Sequence, residues 1–210
     1  MKTVTAIEAR RNRTGRVNVF LDGDLAFSLG APVAAEAGLG VGKVLTEAEV
    51  ARLPEADRGE RAREAALRLL ALRPRSVAEL KTRLLRRGFD VETAEQALGK
   101  LEEQHLVDDE AFARFWMENR ETFSPRSPRL LRLEMKRKGL ADETIMAVIS
   151  EVDEEQSAYR AAQRKLRGWK ELDYQGFRKR ANSFLRQRGF SYEVVSYTVG
   201  RLWCEHMAQS

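Results

Sequence analysis

Cysteine and histidine are scarce in this sequence. Among 210 residues there are one cysteine, Cys204, and two histidines, His105 and His206. One cysteine excludes an intrachain disulfide and a thiolate metal cluster within the chain. Cys204 and His206 are two apart, and a helix would point such side chains in different directions, so they do not form a nucleophile and base. We therefore expect no metal, no cofactor and no enzymatic activity.

Long apolar runs are also missing. No stretch approaches the length of a membrane-spanning helix, and residues 1–15 lack the apolar core of a secretory signal. We expect a cytoplasmic protein without membrane association. Hydrophobic residues still make up 43% of the chain, which suffices for ordinary cores.

Charge is abundant and slightly unbalanced. Lys and Arg number 37 against 32 Asp and Glu, a net charge of +5. Such an excess suits an anionic partner, and it suits solvated helical faces equally well.

An internal repeat organises most of the chain. Gly88, Gly139 and Gly189 each follow a basic stretch, at spacings of 51 and 50 residues. An apolar residue comes one position after each glycine and a Glu four positions after it, and later apolar positions share one helical face. The pattern predicts a helix that ends at a left-handed glycine. A second helix then begins near Asp90, Asp142 or Ser191. The matched apolar sets are Phe89, Leu140 and Phe190; Ala94, Ile145 and Val195; Leu98, Ile149 and Val199; and Leu101, Val152 and Leu202.

The repeat predicts a mainly α protein. We expect three tandem three-helix repeats in an elongated, curved array. The helices are predicted at about 61–72, 77–87 and 91–104, then from 108, from 128 and at 143–154, and finally from 159, at 177–188 and at 192–206.

The N-terminal region has a different pattern. Val17, Val19 and Leu21 alternate with other residues, the turn dipeptide Asp22-Gly23 follows, and the alternation then resumes through residue 29, which predicts a β-hairpin. A third strand is predicted at residues 4–7, joined to the hairpin by a polar loop at 10–15. Short helices at 33–37 and after Thr46, where a capping box is predicted, would cover the strands. The expected domains are 1–54, 61–105, 106–155 and 156–210, with Pro54 closing the first and a linker at 55–60.

Residues 38–43, GLGVGK, superficially resemble a phosphate-binding loop. A Walker motif needs Gly where Ala37 stands and Ser or Thr where Val44 stands, and it should follow a strand. We interpret the segment as a glycine-rich turn.

Two further groups favour structural roles. The adjacent Asp108 and Asp109 suit helix capping better than metal binding. The aromatic residues could stack on bases, but most have helical spacing beside apolar neighbours, so core packing is preferred, while Trp169 and Tyr174 are expected in a loop. These aromatics are Phe112, Phe115, Trp116, Trp169, Tyr174 and Trp203.

The basic residues of the middle helices form the main candidate site. Helix dipoles account for one or two cations near each C-terminus, but the second helix has more, spread along its length. We therefore predict an anion-binding face, for phosphate backbone or an acidic protein groove. The third repeat departs from the pattern, because Asn182 and Gln187 replace cations. The candidates are Arg83, Arg86, Arg87, Arg129, Arg132, Lys136, Arg137, Lys138, Arg186 and Arg188.

Three segments resemble the RecX family, regulators of the RecA recombinase. They are residues 76–101 with an EL...L...GF core, LVDDEAFA at 106–113 continuing to Arg120, and residues 130–140. The Asp-Asp-x-x-Phe-Ala phrase between two repeats is the most specific of them. The second middle helix departs from the family by starting Ser127-Pro128-Arg129, where glycine is common. The N-terminal strands resemble an extension that only some members have.

The resemblance implies a non-enzymatic protein, which we expect to be a monomer, that binds in the groove of the RecA-DNA filament. Through that contact it would restrain strand exchange, ATP hydrolysis and the coprotease activity in recombination, DNA repair and the SOS response. Direct contact with single- or double-stranded DNA would use phosphates. The alternative is a general DNA-binding module without sequence specificity, whose effect on recombination is competition for DNA.

Overall fold

The computed structural model describes residues 1–10, 15–169 and 171–207. The chain divides into two compact units. The first contains residues 1–73 and 80–107, and the second contains residues 74–79 and those from 108 onward. The domain boundaries expected from the sequence remain a prediction.

An antiparallel sheet opens the first unit. The Asp22-Gly23 turn has φ values of 52° and 95°, which match the right-handed twist of a two-residue hairpin and confirm the predicted hairpin. The third strand is also confirmed, whereas the short fourth strand was not predicted because two residues show no alternation. Most of the predicted polar loop, residues 11–14, lies outside the described residues. In the described part, β1 (Lys2–Ala9), β2 (Arg16–Leu21), β3 (Asp24–Gly30) and β4 (Val44–Leu45) have the order β3-β2-β1-β4.

Two helices follow the strands, α1 (Ala31–Glu36) and α2 (Glu47–Leu70). Thr46 caps α2 in a capping box with Glu49, as predicted. Leu53 of α2 is buried with apolar residues of the strands, so this helix covers the apolar face of the sheet.

Helix α2 corrects two expectations. Pro54 does not close the segment, and residues 55–60 are helical instead of forming a linker. A proline inside a helix removes one hydrogen bond and is normally unfavourable. Here Asp57 anchors the helix, because its carboxylate accepts hydrogen bonds from Arg16 at 2.9 Å and from the Gly30 N–H at 2.6 Å. Tertiary contacts on both sides of Pro54 therefore outweigh its local preference.

From α2 onward, the helices group in threes, as the repeat predicted. In each group the middle helix ends at a glycine with φ near 80–90°, which confirms the left-handed helix ends at Gly88, Gly139 and Gly189. The first group is α2, α3 (Val77–Arg86) and α4 (Val91–Glu103); the second is α5 (Asp109–Phe123), α6 (Pro128–Arg137) and α7 (Asp142–Ile149); the third is α8 (Glu154–Gln163), α9 (Tyr174–Gln187) and α10 (Tyr192–Met207).

Helix α7 ends at Ile149, five residues before its predicted end. The reason is Asp153, which accepts a hydrogen bond from the Gln156 N–H and thereby begins α8. The intervening residues form the turn that connects the two helices.

The third group contains the aromatic core. After a short 3-10 helix, Leu166–Gly168, the Trp169 ring packs edge-on against Phe177 and Phe184 at centroid distances of 6.0 and 5.5 Å. Trp169 is therefore a core residue, although it lies in a connecting segment as expected. Tyr174 is the first residue of α9 and is not in the predicted loop.

Candidate partner-binding surface

The outward face of α6 carries the densest set of candidate cations. Four exposed basic residues lie within about one helical turn of the exposed Leu133 on either side of it along the helix. Leu131 and Met135, on the opposite side, are fully buried. The helix therefore presents a basic surface with an apolar centre. The outward face of α6 is defined as Arg129, Arg132, Leu133, Lys136 and Arg137.

Asp142 neutralises part of this face. Its carboxylate pairs with Lys136 and Arg132, each at 3.0 Å. Hydrogen bonds from Lys136 and then Arg132 lower the pKa of Asp142, because they favour the ionised carboxylate. Arg129 and Arg137 have no ion pair among the described residues, so they remain available to an external anion.

Helices α3 and α9 also expose cations. On α3 the exposed residues are Arg83, Arg86 and the following Arg87, and on α9 they are Arg178, Lys179, Arg180 and Arg186; none has an ion pair among the described residues. Lys81, which corresponds to Arg132, pairs with Glu95 at 2.5 Å. The cations of α3 beyond Leu80 belong to the first compact unit, and those of α6 and α9 belong to the second.

Lys138 and Arg188 do not lie with the exposed cations. Lys138 immediately precedes Gly139, and Arg188 immediately precedes Gly189. Both side chains are half-buried at the place where the start of another repeat's middle helix contacts the glycine. We call the contact of the α3 start with the α6 end the first joint, and the contact of the α6 start with the α9 end the second joint. Both joints lie within the second compact unit.

At the first joint, Ser76 has two hydrogen bonds. Its Oγ accepts a bond from the Glu79 N–H, which caps α3, and donates one to the Lys138 carbonyl at 2.6 Å. The Lys138 ammonium pairs with Glu79 at 2.7 Å and lies 4.8 Å from the Trp116 ring centre. Lys138 therefore has an internal counter-ion and a structural role.

The adjacent acidic residues also contribute here. Asp108 caps α5 by accepting hydrogen bonds from the Glu110 and Ala111 N–H groups, as predicted. Asp109 instead accepts one from the Val77 N–H at 2.9 Å, so it caps α3 from another helix. Burial raises the pKa of Asp109, opposed by the Val77 hydrogen bond, and the charge of Asp108 raises it further.

The second joint has a similar arrangement, with a backbone N–H as the donor in place of the Ser76 hydroxyl. The buried Ser127 caps α6, and its N–H donates to the Arg188 carbonyl at 3.1 Å. Gly189 lies closely against Ser127, as Gly139 lies against Ala78 at the first joint. The Arg188 guanidinium lies 4.1 Å from the Phe184 ring centre.

The carboxylate of Glu134 forms a network of hydrogen bonds and ion pairs that was not predicted from the sequence. Glu134 accepts hydrogen bonds from the Trp116 indole N–H at 3.0 Å and from Arg120 at 2.8 Å, and also pairs with Arg126. Its side chain is 11% exposed. These partners come from the α5 helix and the α5–α6 connection, so no local spacing indicates them.

The glycine-rich segment has a structural role. Lys43 donates to the Ala37 carbonyl at 2.6 Å, closing the turn after α1. A groove of about 610 Å³ beside it carries four glutamates and four cations on its walls, with apolar residues between them. The two signs are balanced, so the groove does not select an anion.

The described residues offer neither a metal site nor a membrane-spanning helix. Within residues 1–10, 15–169 and 171–207, no three His, Cys, Asp or Glu side chains are grouped so that they could hold a metal ion. In that same part of the chain, no helix combines the length and apolar character needed to cross a bilayer.

Family models match the chain along most of its length. They are described as the regulatory protein RecX N-terminal domain, over residues 2–46, and the first, second and third three-helix domains of RecX, over residues 62–101, 108–149 and 153–199. The last three ranges correspond to the three groups of helices in the structure, and the first of them begins inside α2. The N-terminal strands are thus also a family feature.

Individual relatives agree with the family models. A regulatory protein RecX from Amycolatopsis mediterranei is 38% identical over 152 residues, covering 71% of this chain and 86% of the relative. One from Bacillus subtilis is 26% identical and covers 98% of this chain and 79% of the relative. A crystal structure of a regulatory protein RecX matches the fold with a TM-score of 0.74 at 24% identity, covering 93% of this chain and 98% of that one. With its three-helix domains in order and its relatives matched over most of their length, the chain belongs to the RecX family of regulatory proteins.

Proposed function

We propose that this protein binds the RecA-DNA filament in the cytoplasm and, without enzymatic activity of its own, restrains strand exchange, ATP hydrolysis and coprotease activity. RecA enters the proposal through the RecX family, whose members are named regulatory proteins. The observation that carries the proposal on the molecule itself is the outward face of α6. Four cations surround Leu133 there, and Arg129 and Arg137 have no internal partner among the described residues.

A filament groove would offer both partners that such a face needs. DNA phosphates attract the cations and release counter-ions when they are neutralised. A protein surface in the same groove would offer contacts to the apolar centre at Leu133, which naked DNA does not. The combination favours a filament over DNA alone, and we propose that one monomer binds across neighbouring filament subunits.

The test is RecA ATP hydrolysis on preformed filaments at low salt. We expect inhibition at ratios well below one protein per RecA, because one bound molecule would restrain several subunits. A protein that leaves the hydrolysis rate unchanged at equimolar ratio would contradict the proposal. General DNA binding, the second candidate, predicts inhibition only when the protein is present in excess over free DNA sites.

A further inference from the structure

Each joint bonds a helix-capping serine to the carbonyl of the residue before a helix-ending glycine, but the two joints differ in one charge. Lys138 and Arg188 each stand one residue before the glycine that ends a middle helix. At the first joint, Glu79 supplies a carboxylate to Lys138 at 2.7 Å. The position equivalent to Glu79, nine residues before the glycine of its own repeat, is Leu130 in the second repeat. Among the described residues, the second joint therefore lacks the counter-ion that the first joint has.

Arg188 shows the consequence. Its guanidinium stacks on Phe184, and the buried Nε has no hydrogen-bond partner in the part of the chain that the structure describes. No ion pair joins it to any described residue. Burial lowers the pKa of Arg188, and the positive charge of Arg126 lowers it further. A half-buried guanidinium facing a like charge, without a carboxylate, is unfavourable until an anion joins it.

Neighbouring groups do not supply the missing charge. Glu134 is already engaged by Trp116, Arg120 and Arg126. The α9 C-terminus supplies only a partial negative charge, roughly half an elementary charge. Because the guanidinium face is occupied by Phe184, its edge is the part left for a ligand.

We propose that the second joint is a binding site for a carboxylate of an acidic side chain that a protein partner inserts beside Arg188 and Arg126. A carboxylate is favoured because the first joint already holds one at the equivalent place, contributed by Glu79. The partial burial of Arg188 also suits a group on a flexible side chain better than a phosphate fixed in a DNA backbone. Arginine binds carboxylates through two parallel hydrogen bonds. The site does not depend on RecA as the partner.

The test uses fluorescence anisotropy at low salt with a labelled hexaglutamate peptide, a hexaglutamine peptide and a dT6 oligonucleotide. We expect wild type to bind hexaglutamate and not hexaglutamine. Leu130→Glu should weaken hexaglutamate binding roughly tenfold, because it restores the internal counter-ion of the first joint. Arg188→Gln should weaken it by a similar factor.

Matched variants separate the site from general electrostatics. Leu72→Glu adds the same charge at an exposed position of the first compact unit, and Arg164→Gln removes the same charge from the exposed end of α8; both should change the affinity less than about twofold. Equal effects of Leu130→Glu and Leu72→Glu, or a larger effect on dT6 than on hexaglutamate, would overturn the proposal. If circular dichroism shows that Arg188→Gln is unfolded, the comparison of hexaglutamate affinity between the two leucine-to-glutamate variants decides the question.

Discussion

A side chain at Gly139 would overlap Ala78. A Cβ built on Gly139 lies far inside contact distance of the Ala78 Cβ. The corresponding position at Gly189 lies 2.6 Å from Ser127 Oγ, whereas no atom of the described residues lies within 4 Å at Gly88. At the Gly88 end, Arg58 of α2 donates to the Gly88 carbonyl at 3.3 Å instead. Gly139 and Gly189 thus allow close approach of helix ends as well as a left-handed backbone.

Alanine substitutions should separate these two roles. Gly88→Ala should cost about 1–2 kcal/mol of unfolding free energy, since only the positive φ is strained. Gly139→Ala adds the overlap with Ala78, so we expect a total of about 3 kcal/mol or more. Urea denaturation followed by far-UV circular dichroism measures both. Equal losses at the two glycines would show that the close contact at the first joint has no energetic weight.

Asp109 should give stability a pH dependence. Its pKa in the folded protein lies above the ordinary value of 3.8, so the folded state binds a proton more readily than the unfolded chain. The contribution of this carboxyl is therefore fully present below about pH 3.8 and is lost as the pH rises through the folded-state pKa. The stability of wild type relative to Asp109→Asn should decline over that window.

The Asp109→Asn variant keeps a side-chain oxygen that accepts the Val77 N–H, whereas Asp109→Ala loses the cap and should be about 1 kcal/mol less stable than Asp109→Asn at every pH. The measurement is the unfolding free energy of the three proteins from pH 3.5 to 7. A wild-type advantage over Asp109→Asn that grows with pH would contradict the assignment.

The Arg16–Asp57 pair should be essential to the first compact unit. The Asp57 side chain is 8% exposed, and its loss leaves a partly buried guanidinium and the Gly30 N–H without their acceptor. Asp57→Ala should cost about 3–5 kcal/mol. Glu64→Ala is the control on the same helix, because its pair with Arg68 is exposed and should contribute about 0.5 kcal/mol or less. Denaturant midpoints within error of each other would refute this difference.

Asp142 should lower the affinity of the outward face of α6 for an anionic partner. Asp142→Asn removes the carboxylate that holds Lys136 and Arg132, so affinity for the filament should increase severalfold at low salt. Changing Arg129, Arg132 and Lys136 together to Ala should weaken binding while the helical circular dichroism is retained. Fluorescence anisotropy with labelled filaments tests both variants. Unchanged affinity in both variants would show that these residues are solvated surface residues that do not contribute to filament binding.

Local patterns predicted the three helix ends at glycine and the hairpin correctly. A glycine at a left-handed helix end and an Asp-Gly turn depend on backbone preferences within a few residues, which the sequence displays directly. The repeat spacing also grouped the helices correctly, because the same pattern returns with every copy.

Partners distant in the chain were not predictable in the same way. Helix α2 continues through Pro54 because Arg16, 41 residues away from Asp57, holds it. Lys138 and Arg188 looked like the other helix-end cations, but contacts with the start of another helix place them in joints. The two joints differ because Glu79 of the first repeat corresponds to Leu130 of the second. The sequence shows this difference, but its effect on Lys138 and Arg188 is visible only in the contacts of the folded chain.

The most direct measurement of the central claim compares binding to preformed RecA filaments with binding to the same DNA without RecA, across a salt titration. We predict tighter binding to filaments at every salt concentration, with a shallower salt dependence, since protein contacts add to phosphate contacts. Equal affinities, with the same steep salt slope on both, would contradict filament recognition and identify a general DNA binder.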